Sequence, residues 1–328
     1  MIECAVILAT AFVLDLVLGD PMYRLHPVRL MGHQIAWLEK RLFHTGLSGF
    51  GGGLVLASGT VACTLGVFGL FVWLWYVFPA GGIAGFIFLV YSCTGFMDLF
   101  SHALPIRSAL AADNTKNARM LLQRIVGRDA SRLDEEGIAR AAVESVAENF
   151  VDGFLAVVFW FAAGALAALA AGLPPAPTAA GFAIAYRAIN TLDAMVGYKN
   201  IRYERFGTAS ARADDMLNFI PARLSMPVIA AAALACRMDV RGCLRIGISD
   251  RLKHVSPNAG HAESCVAGAL SIRLGGPVRY PGKTVDKPWM GDGTGDISPG
   301  HILDACRLVF FAGFIWVLFI LFVLAVAA

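Results

Sequence analysis

The chain has 328 residues, of which 57% are hydrophobic and 16% charged, with a formal net charge of +3. A soluble domain carries about a quarter charged residues, so this composition excludes an ordinary water-soluble globule. The net charge discriminates little; where the charges lie is the informative quantity.

Two uncharged runs set the class. No Lys, Arg, Asp or Glu stands between Arg41 and Asp98, and none from Leu308 to Ala328. A bilayer core of about 30 Å is crossed by roughly 20 helical residues. A soluble core helix has no reason to be apolar on every face for that long. The seven cysteines have no C-x-x-C spacing and lie mostly in or beside apolar segments. They read as reduced, core-like thiols.

In chain order, the first expected span is Ile2–Leu18, stopped by the Gly19-Asp20-Pro21 turn. It lacks a basic leader and an A-x-A cleavage site, so it reads as a retained span rather than a signal peptide. The second and third spans, Leu54–Phe78 and Ile83–Ala103, are split by Pro79-Ala80-Gly81-Gly82. The fourth, Phe154–Leu173, ends at Pro174-Pro175-Ala176-Pro177, and the fifth, Thr178–Val196, carries Arg187, Asn190 and Asp193. Leu224–Cys236 is short for a span and reads as a re-entrant or interfacial piece. The sixth span is Leu308–Ala328. The expected fold is therefore all-α: a polytopic helical membrane protein forming a single integral membrane catalytic domain.

Basic residues orient it. Segments 22–50, 104–152, 197–223 and 237–307 hold four, seven, five and ten Lys or Arg; the connections at 79–82 and 174–177 hold none. With six spans, segments 22–50, 104–152 and 197–307 fall on the cytoplasmic side of the cell (inner) membrane and both termini fall outside. Topology thus accounts for the basic residues, and nucleic acid is not an expected partner. A transporter places polar groups mid-membrane in broken, repeated helices, and no such repeat is seen.

Four constellations carry candidate chemistry. Glu144, Glu148 and Asp152 are spaced to share one helix face. A bound cation offsets the repulsion of such a row, and Mg²⁺ takes carboxylate oxygens completed by substrate phosphate; the plainer alternative is a solvated acidic face paired with Arg140. Arg187, Asn190 and Asp193 lie inside a span, where polar groups are functional by default, or else form a structural Arg187–Asp193 pair. Asp214, Asp215 and Asn218 suit a cation, with Arg212 and Arg223 suited to phosphate or carboxylate; the alternative is a capped helix start. Ser256-Pro257-Asn258-Ala259-Gly260 and Gly275-Gly276 are turns able to present N–H groups to an anion, or ordinary turn chemistry. No phosphate-binding P-loop, zinc-protease, serine-hydrolase or Rossmann fingerprint is present. The residues point to a membrane enzyme acting at its cytoplasmic face on a phosphorylated or anionic substrate.

Taken in order, the motifs resemble the adenosylcobinamide-phosphate synthase family of cobalamin biosynthesis (CobD/CbiB). They are Gly19-Asp20-Pro21, His26-Pro27-Val28, Gly127-Arg128-Asp129, Glu144-Ser145 through Glu148-Asn149 to Asp152-Gly153, and Asn190-Thr191-Leu192-Asp193 leading to Lys199. Ala211-Arg212, Asp214-Asp215, Asn218, Pro221-Ala222-Arg223, Ser256 to Gly260 and Arg273-Leu274-Gly275-Gly276 follow. Val157 departs from an expected proline.

The resemblance implies an ATP-dependent ligase. It joins a carboxylate of adenosylcobyric acid to the amine of (R)-1-amino-2-propanol or its O-phosphate. Set beside that reaction, Glu144, Glu148 and Asp193 are the candidate catalytic residues. Glu148, Asp152, Asp214 and Asp215 are the candidate Mg²⁺ ligands. Arg128, Asp129, Asn149, Asn190, Lys199, Arg212, Asn218, Arg223, Ser256 and Asn258 are candidates for substrate and phosphate. The implied partners are the corrinoid, aminopropanol phosphate, ATP and the lipid bilayer, with a homo-oligomer left open. The competing readings are a Mg²⁺-dependent intramembrane phosphate or diphosphate transferase, a transporter, and a catalytically inactive sensor relative.

Overall fold

The computed structural model describes every residue except Met22, Lys199, 281–282 and 294–296, with backbone only for 278–280 and 283–285. Among the described residues, fourteen α-helices account for most of the chain. The first seven are α1 (Ile2–Leu18), α2 (Pro27–His44), α3 (Phe50–Val77), α4 (Pro79–Cys93), α5 (Phe96–Ala111), α6 (Thr115–Leu122) and α7 (Glu135–Phe150). After a π-helical turn at Val151–Leu155 come α8 (Ala156–Ala171), α9 (Pro175–Val196), α10 (Thr208–Leu217) and α11 (Phe219–Ala235). The last three are α12 (Val240–Asp250), α13 (Ala259–Leu270) and α14 (Pro299–Val326). Four strands of two or three residues form two antiparallel pairs: Leu274–Gly275 with Trp289–Met290, and Val278–Tyr280 with Lys283–Val285. The all-α, polytopic expectation holds.

Among the described residues, four helices are long and apolar enough to cross a membrane: Phe50–Val77, Pro79–Ala111, Glu135–Ala171 and Pro299–Val326. Thr208–Leu217 and Phe219–Ala235 make a fifth if taken together as one broken span. The expected first span is α1, over the same residues, though 17 residues is short for a crossing. The expected fifth is α9, whose Arg187 and Asp193 lower its apolarity. The short segment expected at Leu224–Cys236 is the greater part of α11.

The chain forms two compact units. The first comprises Met1–Gly95, Ala156–Leu217 and Val317–Ala328. In it α8 and α9 pack as an antiparallel hairpin. A Cβ at Gly164 would lie 2.8 Å from Phe182 and 2.9 Å from the Thr178 carbonyl, so only glycine permits this approach. Small residues at a crossing are how apolar helices gain close van der Waals contact in lipid. Ile35 and Leu42 of α2 pack on Leu56 of α3, Leu192 and Val196 of α9, and Phe206.

The second unit comprises Phe96–Leu155 and Asn218–Trp316. Its aromatic core stacks Phe96 on Phe154, centroids 4.4 Å apart, and on Phe310 at 5.9 Å. Trp316 Nε1 donates to the Leu155 carbonyl at 3.0 Å. That bond matters because a π-turn leaves carbonyls without their α-helical partners.

Candidate functional site

The candidate residues fall into two clusters, one in each unit. In the second unit the cluster is built on α7, α13 and the turns around them. Asp134 caps α7, its Oδ1 accepting from the Gly137 N–H at 2.8 Å, and Glu135 and Glu136 complement the helix dipole in the first turn. This fixes the helix that presents Glu144 and Glu148. The regular α-helical spacing ends at Phe150. Asp152 lies in the π-turn that follows, beyond the α-helical part that carries Glu144 and Glu148.

Both oxygens of Glu144 are engaged. Oε2 accepts from the Arg128 guanidinium, and Oε1 accepts from the Gly275 N–H at 2.7 Å. Gly275 has φ +81°, a region that favours glycine. The Gly275 N–H is thus turned toward the Glu144 side chain. Arg140, expected as a partner for the acidic face, instead pairs with Glu136 and lies over the Trp289 ring at 4.7 Å.

Next to this pair is a residue that the sequence reading passed over. Glu263, on α13, is 2% exposed. Burial, and then the neighbouring charges of Glu144 and Glu148, push its carboxyl well above the usual carboxylate range; Lys287 and Arg128 oppose this. His254 Nε2 is 3.8 Å from Glu263 Oε1. The spacing is too long for a hydrogen bond, and burial works against charge on both groups. Burial, and then Lys287, push the His254 imidazole down to about 4. Its Nδ1 accepts from the Ser256 N–H at 3.0 Å, so hydrogen-bond logic assigns the ring proton to Nε2, facing Glu263. The result is an imidazole held toward its neutral form beside a buried carboxyl whose ionisation is disfavoured, with Glu144, Glu148, Arg128 and Lys287 acting on them.

Ser256 holds the turn entering α13, its Oγ accepting from the N–H groups of Asn258 at 3.2 Å and Ala259 at 3.3 Å. Asn258 is buried, its Oδ1 3.4 Å from Arg223 Nη1 and its carbonyl 3.2 Å from His261 Nδ1. Arg223 also donates to the Phe219 carbonyl at 2.6 Å and lies over the Phe219 ring. Asn218 is buried at the start of α11. Asn149 is exposed and turns its amide back to the Ser145 carbonyl at 2.8 Å. Asp129 closes a turn by accepting from the Ser131 N–H at 2.9 Å, and that bond holds its carboxyl below the usual range.

The first unit carries the other cluster. Arg187 Nη1 donates to Asn190 Oδ1 at 3.1 Å, and Asn190 Nδ2 donates to Asp214 Oδ1 at 3.2 Å. This chain ties α9 to α10. Among the described residues Arg187 Nε is buried with no hydrogen-bond partner. The Arg187–Asn190 bond joins residues at i, i+3 spacing on one helix. Asp214 is 7% exposed, Asp193 and Asp215 are half-buried, and Arg212 is exposed. Lys199 lies outside the described residues.

Among the described residues no three His, Cys, Asp or Glu side chains gather to hold a metal by themselves. The donors present are carboxylate and amide oxygens, which suit a hard cation. Mg²⁺ is ordinarily held by one or two carboxylates, with substrate phosphates and water completing the shell. Glu148 with Asp152 in one unit, or Asp214 with Asp215 in the other, fits that donor requirement.

Apolar helices long enough to span a bilayer, together with clusters of carboxyl, guanidinium and amide groups, define a polytopic membrane protein. The chain belongs to the CobD/Cbib protein family, which it matches over residues 8–309. It is 40% identical to the cobalamin biosynthesis protein CbiB of Salmonella arizonae, over 91% of both chains. It is 40% identical to the cobalamin biosynthesis protein CobD of Klebsiella pneumoniae, over 92% of both. With CobD of Photorhabdus laumondii the identity is 43%, over 86% of this chain and 85% of that one. No solved structure matches the chain.

Proposed function

We propose that the protein is the amide-forming synthase of cobalamin biosynthesis. In this reading it joins adenosylcobyric acid to (R)-1-amino-2-propanol O-phosphate, or to the free aminopropanol, in the cytoplasmic-side region of the cell membrane. Full-length likeness to cobalamin biosynthesis proteins supports the pathway. The single observation supporting the chemistry is the Arg128–Glu144–Glu263–His254 cluster. In it, an arginine-bound carboxyl group lies near a buried carboxyl whose ionisation is disfavoured and an imidazole.

A carboxylate is a poor electrophile. ATP supplies a phosphoryl group that converts it into an acyl phosphate with loss of ADP, and Mg²⁺ would neutralise the phosphate oxygens. The amine nitrogen then forms the C–N bond while phosphate leaves, and the nitrogen gives up a proton. Glu148 and Asp193 are the proposed proton acceptors. Glu144 works through others: by holding Arg128 and the Gly275 turn it sets where a guanidinium meets phosphate. Arg212 and Arg223 are the further phosphate-facing cations. Asn149, Asn190, Asn218 and Asn258 are proposed to hydrogen-bond the amide-rich corrinoid periphery. Asp214, Asp215, Glu148 and Asp152 are proposed for Mg²⁺.

Purified protein in detergent, given adenosylcobyric acid, aminopropanol phosphate, ATP and Mg²⁺, is expected to form a condensation product visible by mass spectrometry. Absence of product with either amine donor and any nucleoside triphosphate would overturn the assignment. Unchanged substrate moving across vesicles would favour transport instead.

A further inference from the structure

The connector between α1 and α3 carries a surface that the proposed chemistry does not use. Helix α2 has two faces. Met31, Ile35, Glu39 and Leu42 point inward. The outward face carries Leu30 and Trp37, 45% and 57% exposed, together with exposed His33, Lys40, Arg41 and His44. Glu39 is the helix's one carboxylate, and it is turned inward. Its Oε1 accepts from Arg202 Nη2 and from the Tyr203 hydroxyl, both at 2.8 Å. The outward face is therefore cationic and aromatic without an acid to neutralise it. The Arg41 guanidinium lies 5.4 Å from the Trp37 ring centroid, which sets charge and ring side by side.

The depth of this face follows from what the inner face touches. Ile35 and Leu42 pack against Leu56, in the second turn of α3. Helix α3 has 28 residues, a length of about 42 Å at 1.5 Å per residue. That matches the whole bilayer including its headgroup layers, about 40–45 Å, rather than the hydrocarbon core alone. Its first turn, about 5 Å, thus lies at headgroup depth, and Leu56, about 9 Å along the helix, lies near the acyl boundary. Tryptophan with lysine and arginine is the composition that this layer favours.

We propose that the outer face of α2 binds anionic phospholipid headgroups. Leu30 and Trp37 lie at the acyl boundary, and Lys40 and Arg41 meet the lipid phosphates. A zwitterionic lipid offers the same apolar boundary without net negative charge, so the two basic residues should give selectivity. Near an anionic surface each is worth about fivefold in local lipid enrichment.

The test uses the full chain in nanodiscs of phosphatidylcholine containing a minor fraction of phosphatidylglycerol. One lipid or the other carries brominated acyl chains. The difference in fluorescence quenching between the wild type and Trp37→Phe isolates the Trp37 signal. Stronger quenching when the bromine is on phosphatidylglycerol is expected, with the preference lost in Lys40→Gln/Arg41→Gln and reduced by salt. Equal quenching by both lipids would overturn the anionic preference, and no quenching by either would place the face in water or against protein. Both basic residues are exposed, so the double variant tests binding rather than folding.

Discussion

The backbone N–H of Gly275 donates to Glu144 Oε1 at 2.7 Å across 131 residues of sequence, and Arg128 holds the same carboxylate from its other oxygen. A mid-helix acid, a loop arginine and a glycine turn are thereby fixed as one object. Gly275 has φ +81°, and a Cβ there would lie 2.5 Å from the Pro288 carbonyl. Gly275→Ala is expected to destabilise the fold by about 1–3 kcal/mol and to misplace Arg128. Thermal unfolding in detergent reads the first effect. The second appears as a raised KM for the phosphorylated substrate with a smaller change in kcat. An unchanged melting temperature and KM would show that the turn tolerates a side chain and that the contact is incidental.

Glu263 predicts an inverted response to pH. Its folded-state pKa lies above the usual carboxylate range, so between the two the unfolded chain has lost a proton that the folded chain still holds. The stability contribution is complete below the ordinary carboxylate pKa and is lost as pH rises through the folded value. Glu263→Gln keeps the shape and removes the titration. The variant is expected to melt near the wild type at pH 5 and above it at pH 8, with the gap widening between. A gap that is constant across that range would mean that Glu263 is ionised in the fold. Glu263→Ala should melt lower at both pH values, because it leaves a cavity among fully buried neighbours.

How far the sequence reaches is clearest at these residues. The apolar runs announced helices α1, α3 and α14, because lipid demands apolarity on every face over a fixed length. Glu144, Glu148 and Asp214 stood out as charges next to such runs. Glu263 did not. It is a single acid within Ala259-Gly260-His261-Ala262-Glu263-Ser264-Cys265, and spacing along one segment carries no sign of the partners that bury it. A lone acid in a helix of Ala, Gly and Ser was the available signal, since such a helix buries all its faces. The pairing of Arg128 with Glu144 and the π-turn at Asp152 are likewise products of tertiary packing. Local periodicity cannot encode them.

Glu39 predicts a structural effect away from the charged clusters. Arg202 and Tyr203 both donate to its Oε1, and the Arg202 guanidinium lies over Phe43 at 4.5 Å. The contact ties the segment after α9 to α2. Glu39→Ala leaves the half-buried Tyr203 hydroxyl without its acceptor, at a cost of about 1 kcal/mol, while water takes up the exposed Arg202 guanidinium. Limited proteolysis around Arg202 and Arg205 should accelerate while α3 and α14 stay protected. Equal cleavage rates in variant and wild type would mean that this segment is held by Phe206 alone.

Asp214 offers the sharpest separation of chemistry from folding. It is 7% exposed and accepts from Asn190 Nδ2 at 3.2 Å. Asp214→Asn still presents a side-chain oxygen to Asn190, so the variant is expected to stay folded and to melt within about 1 kcal/mol of the wild type. If the carboxylate helps hold Mg²⁺, losing its charge weakens the metal and not the scaffold. The half-saturating Mg²⁺ concentration should rise at least tenfold, with part of the activity recovered at high Mg²⁺. Asn190→Asp is the converse experiment, placing a second acid against Asp214. Repulsion between two half-desolvated carboxylates lowers stability unless a cation is present, so added Mg²⁺ should restore the melting temperature of this variant more than that of the wild type. A Mg²⁺ dependence unmoved in Asp214→Asn, together with no Mg²⁺ rescue of Asn190→Asp, would remove Asp214 from the metal site and leave it a structural link between α9 and α10.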